Sequence, residues 1–325
     1  MNVAVAALAF GFYLWRWLRI EFDSTRLWGD VTCCWEPLGY AVLNGASIYT
    51  APVTIDNKPP LWHFVAIVGA WVGDVGLVIL LVDGLAAMAL VYLTTKFIGR
   101  IVDDERATAI GAVATFTIII QIAYMSNNKL PAAALLFAAA YLRKPLYSGV
   151  LAGASVWISQ YTGLAIVSLG LLFLLTNDDR KPFVKYVLGG VAITALIWGV
   201  VGVVWGMDSV IGGVKAAFFV AEGYANESTS PFENPGEYLH FADQVISTIY
   251  LQLLFALAGV GVVLSDRLRF DQSGWEEITA LGFVTLPLLP MFLFRFYRHY
   301  FSFYVVPLSV CIAIFFASLL DDATG

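Results

Sequence analysis

Residues 75–95 read VGLVILLVDGLAAMALVYLTT, an apolar run whose one charged side chain is Asp83. Crossing ~30 Å of hydrocarbon takes ~20 predominantly apolar residues in a helix, and this run has that length. Lipid offers no hydrogen bonds to an exposed backbone, so a spanning segment must satisfy its own N–H and C=O groups. The run is therefore predicted to be a transmembrane helix.

Comparable apolar runs recur along the whole chain. The 325 residues are 60% hydrophobic and 13% charged, whereas soluble domains are about 25% charged. We predict an all-α, polytopic membrane protein in which residues 1–325 form a single membrane domain of about ten spans. The shorter runs between 130 and 175 are expected to include tilted or broken helices. The candidate spans are 1–19, 75–95, 107–124, 130–142, 146–158, 162–175, 184–205, 245–264, 277–294 and 301–319.

The basic residues are distributed unevenly between the two sides of these spans. If the N-terminus is cytoplasmic, the inner loops hold ten of the 18 basic residues, as expected when Lys and Arg are retained on the cytoplasmic side. Two long segments then lie outside the cytoplasm: 20–74 is the first extracytoplasmic loop, with juxtamembrane helices, and 206–244 is the second. The inner basic residues are Lys96, Arg100, Arg106, Arg143, Lys144, Arg180, Lys181, Lys185, Arg267 and Arg269.

The first outer segment contains the most informative polar sequence. Residues 28–64 read WGDVTCCWEPLGYAVLNGASIYTAPVTIDNKPPLWHF. Two prolines cannot lie inside a helix but start one well, which places Lys58 at the beginning of the apolar segment Leu61 to Gly73. A cation in this place faces lipid headgroups and phosphates. The alternative is a basic anchor at the membrane interface that has no chemical role.

An acid after the first span, a Gly-Tyr segment and the sequence KPPL resemble the C-type membrane glycosyltransferases. The similarity is greatest to the branch that uses polyprenyl-phosphate sugars, which includes protein O-mannosyltransferases and the lipid A aminoarabinose transferase. Two further features fall where that family has comparable ones. They are the polar break Ser159-Gln160-Tyr161 between two short helices and the run from Arg295 to Tyr300 before the last span.

The resemblance implies a reaction and a set of residues for it. A hexose, with mannose among the candidates, would pass from a polyprenyl or dolichyl phosphate to a glycan, lipid or protein acceptor outside the cytoplasm. Asp30 would be the general base that takes the proton of the acceptor hydroxyl. Lys58, Arg295, Arg298 and His299 would bind the phosphate of the donor lipid, whose negative charge grows as it leaves. His299 has the alternative of only capping the helix that begins at Tyr300. No cofactor is required.

A divalent cation remains an option in this interpretation. Glu36 and Asp56 are both candidates for a second carboxylate that orients the acceptor or binds a metal ion, and the sequence does not choose between them. Where relatives often place an acid near position 124, this chain has Ser126-Asn127-Asn128-Lys129. That departure weakens a metal-dependent mechanism and makes Lys129 another candidate phosphate contact.

Two other classes of function compete with the transferase. In a polytopic lipid or solute transporter, Asp83 and the short helices near 160 would line a substrate path at the membrane midplane. A buried Asp that bonds to a neighbouring span is the structural interpretation of the same residue. The third class is a non-catalytic membrane subunit with the same fold.

Charge and cysteine content narrow the remaining options. The net charge of -6 argues against nucleic acid as a partner. Three cysteines, of which Cys33 and Cys34 are adjacent, form neither a disulfide framework nor the spacing of a metal site. The sequence alone therefore predicts a multi-pass protein of the cell membrane with a site on its outer side.

Overall fold

The computed structural model of the protein describes residues 2–22, 31–50, 58–122, 128–219, 232, 234–265, 270–294 and 298–322. Every regular element in these ranges is a helix, which confirms the all-α prediction. The α-helices are α1 (Asn2–Phe22), α2 (Glu36–Leu43), α3 (Pro60–Val72), α4 (Val75–Ile101), α5 (Glu105–Ile122), α6 (Lys129–Leu142), α7 (Pro145–Ile158), α8 (Gly163–Leu175), α9 (Lys181–Trp205), α10 (Met207–Phe219), α11 (Pro235–Leu264), α12 (Gln272–Thr285), α13 (Met291–Phe294) and α14 (Val305–Asp322).

Shorter helical turns lie between these elements. A π-helical turn covers Val31–Trp35 before α2, and 3₁₀ turns cover Gln160–Thr162 before α8, Leu286–Leu288 after α12 and Arg298–Tyr304 before α14. The segment 206–244, predicted to be an outer loop, contains α10 and the first turns of α11 in its described part.

Four helices are long and apolar enough to cross a membrane: Val75–Ile101, Lys181–Trp205, Pro235–Leu264 and His299–Asp321. This finding supports membrane association. The other predicted spans also correspond to helices, but most of these are shorter, such as Lys129–Leu142. The number of ten crossings stays a prediction.

The helix α4 lies at the centre of the packing and contacts α1, α3, α5, α6, α12 and α14. Its Gly84 allows close approach to α1, because an added Cβ would be 2.9 Å from the ring of Phe10. Asp83 beside it is 1% exposed and close enough to Tyr13 of α1 for an electrostatic interaction. Asp83 thus faces a neighbouring helix, as expected for a buried Asp that interacts with a neighbouring span.

The two shortest candidate spans are joined to their neighbours by small residues. A Cβ on Gly149 of α7 would overlap the carbonyl oxygen of Tyr186 in α9, and one on Gly189 would overlap the carbonyl of Leu146. Ser148 and Ser155 of α7 donate to carbonyls of α6, each at 2.8 Å. Close backbone contact and interhelical hydrogen bonds are the interactions that remain available between helices in lipid.

Several of the predicted inner loops meet at one end of the helices. Glu277 of α12 is 2% exposed and forms salt bridges with Arg100 at 2.9 Å and with Arg143 at 3.0 Å. Arg143 follows α6, and Arg100 lies in the last turn of α4. We call this region, defined by Arg100, Arg106, Arg143 and Glu277, the basic end. Residues 100–106, 270–271, 317 and 320–321 line one open pocket there.

Replacement of Gly149 by Ala is expected to lower the free energy of unfolding by about 1–3 kcal/mol, because the new methyl group forces α7 away from Tyr186. Thermal unfolding in detergent, followed by the loss of helical circular dichroism, measures the change. Gly199→Ala in α9 is the matched control, since nothing lies within 4 Å of its added Cβ. Equal melting temperatures for the two variants would contradict close packing of α7 on α9.

Candidate functional site

Four helix starts converge at the end opposite the basic end. The helix α6 begins at Lys129 and ends before Arg143, so its two termini mark the two ends. Its residues contact both the turn Gln160–Thr162 and the turn Arg298–Tyr304. The start of α3 joins them through Lys58, which interacts electrostatically with His299. Polar residues from four distant segments therefore face one another.

Lys129 is a buried cation in this region, with 5% of its surface exposed. Its Nζ donates to Oδ1 of Asn128 over 2.8 Å and lies 5.2 Å from the ring centre of Tyr161. The amide of Asn128 in turn donates to the carbonyl of Ile158 over 2.6 Å. This chain of contacts fixes the ammonium at the first residue of α6, where the helix dipole already favours negative charge nearby.

The polar break after α7 and the turn before α14 are in direct contact. The hydroxyl of Tyr300 donates to that of Tyr161 over 3.2 Å, and the two ring centres are 5.2 Å apart. Ser159 is fully buried, and its Oγ has no hydrogen-bond partner within the described ranges. A buried hydroxyl without a partner costs free energy, and a ligand that accepts its hydrogen would offset that cost.

Lys58, Lys129 and His299 form what we call the cationic cluster. His299 is half-buried and interacts electrostatically with both lysines, which come from segments 71 residues apart. The two ammonium groups contribute positive charge to this region, and positive charge attracts an anion. The arrangement suits a phosphate better than it suits a neutral ligand.

Aromatic rings pack at the start of α3, which Lys58 precedes in the chain. Trp35 and Trp62 meet edge to face with ring centres 5.9 Å apart, and His63 lies 6.1 Å from Trp35. Both indole N–H groups are buried and have no acceptor in the part of the chain that the structure covers.

The predicted site residues fall into three groups. Lys58 and His299 are brought together. Glu36 is exposed in the first turn of α2, where the helix dipole stabilises a negative charge. The backbone of Arg298 starts the last 3₁₀ turn, while its side chain lies outside the described part. Asp30, Asp56 and Arg295 lie outside the described residues as well.

No metal centre is assembled from the described residues, because none of their His, Cys, Asp and Glu side chains form a group of three or more that could hold an ion. Of the two candidate carboxylates for such a site, Glu36 is described and belongs to no such group, while Asp56 lies outside the described residues. The divalent cation stays an untested option.

Sequence reasoning missed several residues of this region. Tyr49, His63 and the pairing of Tyr161 with Tyr300 carried no signal, because an aromatic residue near a membrane interface is common. Asn128 was noted only as part of a departure from a family pattern. Lys129 was not missed, because the same departure had made it a candidate phosphate contact.

No protein-family model matches the sequence, and neither the curated proteins nor the solved structures contain a significant match to it. Fold and site together define an all-helical protein with four helices long and apolar enough to cross a membrane and with the cationic cluster at one end.

Replacing Ser159 by Ala is expected to leave the unfolding temperature of the ligand-free protein unchanged or slightly raised, since its hydroxyl has no partner to lose. Ser155→Ala is the matched control on the same helix pair and should cost about 1 kcal/mol, because it removes the bond to Ala132. Thermal unfolding of both variants in detergent gives the comparison. A loss at Ser159 as large as that at Ser155 would assign the hydroxyl a purely structural role.

Proposed function

We propose that the protein is a multi-pass membrane glycosyltransferase of the C type, with about ten spans, which moves a hexose from a polyprenyl-phosphate carrier to an acceptor outside the cytoplasm. The observation that carries the proposal is the cationic cluster. Lys58 and His299 are both phosphate-binding candidates of the sequence, and they interact electrostatically across 241 residues. Contacts through the rings of Tyr161 and Tyr300 link Lys129 to His299.

The cluster fits the leaving group of this reaction. As the bond between the anomeric carbon and the carrier oxygen breaks, its electron pair passes to the phosphate, which gains negative charge. Fixed cations stabilise that charge in the transition state more than in the ground state, and this difference accelerates the reaction. Lys129 adds a cation that is already held in place by Asn128 and Tyr161.

The second half of the reaction requires a base. In the proposal Asp30 takes the proton of the acceptor hydroxyl while the acceptor oxygen forms the new bond to the anomeric carbon. The proton therefore ends on the carboxylate and the negative charge on the lipid phosphate. Glu36 or Asp56 would orient the acceptor.

The orientation of the site follows from the basic end. Basic residues are retained in cytoplasmic loops, so the end with Arg100, Arg106 and Arg143 is assigned to the cytoplasm. The cationic cluster then lies near the outer surface, where a lipid phosphate sits at headgroup depth. A transporter with a path along Asp83 is less well supported, since Asp83 is packed against α1.

Asp30→Asn should lower sugar transfer about 100-fold or more, because an amide cannot accept the proton. Lys58→Met should lower it by a similar factor through the loss of phosphate stabilisation. Both are measured in membranes supplied with a radiolabelled polyprenyl-phosphate mannose or glucose and an extract of surface glycans, lipids and proteins, with the labelled product identified by mass spectrometry.

Lys181→Met is the matched control for Lys58→Met. Lys181 also stands directly before a proline at a helix start, but it is exposed, pairs with Asp179 over 3.0 Å and begins α9. Transfer by this variant should equal that of the wild type. Full transfer by Asp30→Asn, or no transfer by the wild type from either donor, would refute the proposal and favour a non-catalytic subunit.

A further inference from the structure

The backbone at Lys58 and Pro59 is held by two ring side chains as well as by the helix start. Pro59 and Pro60 have no N–H group to donate, and the N–H of Trp62 donates to the carbonyl of Pro59 over 3.2 Å. The hydroxyl of Tyr49 donates to the carbonyl oxygen of Lys58 over 2.6 Å. The imidazole of His63 donates to the carbonyl of Pro59. The rings of Tyr49 and His63 meet edge to face with centres 4.7 Å apart.

Tyr49 is itself held in an unusual conformation. Its φ is 60°, a left-handed backbone that residues with a Cβ seldom adopt. Its carbonyl oxygen would be 2.5 Å from a Cβ added to Gly212 of α10, so that glycine is required for the contact. Its ring lies 6.2 Å from that of Trp198 in α9. Packing from two helices thus compensates for the backbone strain.

Tyr49 therefore links α9 and α10 to the backbone of one cationic residue, Lys58. Since the Tyr49 hydroxyl fixes the Lys58 carbonyl, it also fixes the Cα from which the ammonium extends. A long lysine side chain has several rotamers, and an anchored backbone reduces the volume that its ammonium explores. Preorganised charge stabilises an anion better than charge that must first be positioned.

We propose that Tyr49 is a positioning residue, which acts through Lys58 to hold the cationic cluster in the geometry that binds the lipid phosphate. This inference rests on the proposed function for the nature of the anion. Tyr49 does not touch the phosphate in this proposal. Its effect must therefore disappear when the ammonium of Lys58 is absent.

The test is a double-mutant cycle of Tyr49→Phe and Lys58→Met. The protein is placed in phosphatidylcholine nanodiscs that contain a long-chain polyprenyl phosphate, and the rise in its unfolding temperature with lipid content gives the affinity. Tyr49→Phe alone should weaken binding about 3- to 10-fold, as expected for the loss of one hydrogen bond that positions a charge. In the Lys58→Met background it should have no further effect.

Sugar transfer provides a second readout of the same variant. Tyr49→Phe should raise the KM for the polyprenyl-phosphate sugar by about the same factor of 3 to 10 and should also lower kcat, because a displaced ammonium binds the phosphate less well and stabilises its growing charge less well. A purely structural role would change the amount of folded enzyme and leave KM unaltered.

Tyr186→Phe is the matched control for a lost tyrosine bond. Its hydroxyl donates to the carbonyl of Ile166 over 2.8 Å, near the start of α9 and away from the cationic cluster. This variant should lose stability and keep the wild-type affinity for polyprenyl phosphate. Nanodiscs with the uncharged polyprenol show whether the lipid chain alone binds. Free inorganic phosphate shows whether any phosphate binds without the lipid.

The outcomes separate this inference from the proposed function. Additive effects in the cycle, or an unchanged affinity in Tyr49→Phe, would overturn the role of Tyr49 even if the wild type binds the lipid. Absence of polyprenyl phosphate binding by the wild type would overturn both. If Tyr49→Phe does not accumulate, Gly212→Ala disturbs the same contact from α10 and should weaken binding only while Lys58 is present.

Discussion

The fold depends on one constraint: a charged side chain in a protein surrounded by lipid must find its partners within the protein. The described charges obey it in two different ways. At the basic end, Glu277 lies between two guanidinium groups, which joins α12 to the ends of α4 and α6. At the other end, the ammonium of Lys129 is held by an amide oxygen and an aromatic ring, and it interacts with a histidine that also interacts with Lys58. The first arrangement neutralises charge. The second brings two ammonium groups to one histidine, which is the property that the proposed function uses.

Small residues make this second arrangement possible. Lipid tails are as apolar as leucine, so helix association relies on close packing and on hydrogen bonds between helices. Glycines at the α7–α9 contact let two backbones touch, and serine hydroxyls of α7 bond to α6. The short helices α6, α7 and α8 are thereby held in a group whose polar turns open toward the same end. Gly212 likewise allows a close contact with Tyr49, because its lack of a Cβ leaves room for the carbonyl of a residue with positive φ.

Much of the helical framework was predictable from the pattern of apolar runs. The helix after KPPL begins at Pro60 and ends at a left-handed Gly73, because proline suits the first turn of a helix and glycine suits the position after the last. The span predicted at 277–294 was less accurate. Its helix α12 ends at Thr285 and is followed by a 3₁₀ turn with Pro287 in it, since proline removes a backbone donor and interrupts the helix.

The sequence by itself determined the helical class, the membrane-compatible composition and the position of Lys58 at a helix start, because these depend on local periodicity and on the geometry of proline. It also drew attention to His299, although only through a family resemblance. The tertiary structure alone decided that His299 meets Lys58 and Lys129, that Tyr161 meets Tyr300, and that Tyr49 holds the Lys58 carbonyl. Those contacts join segments from 9 to 241 residues apart, and no local pattern specifies which distant turns will share one end of a bundle.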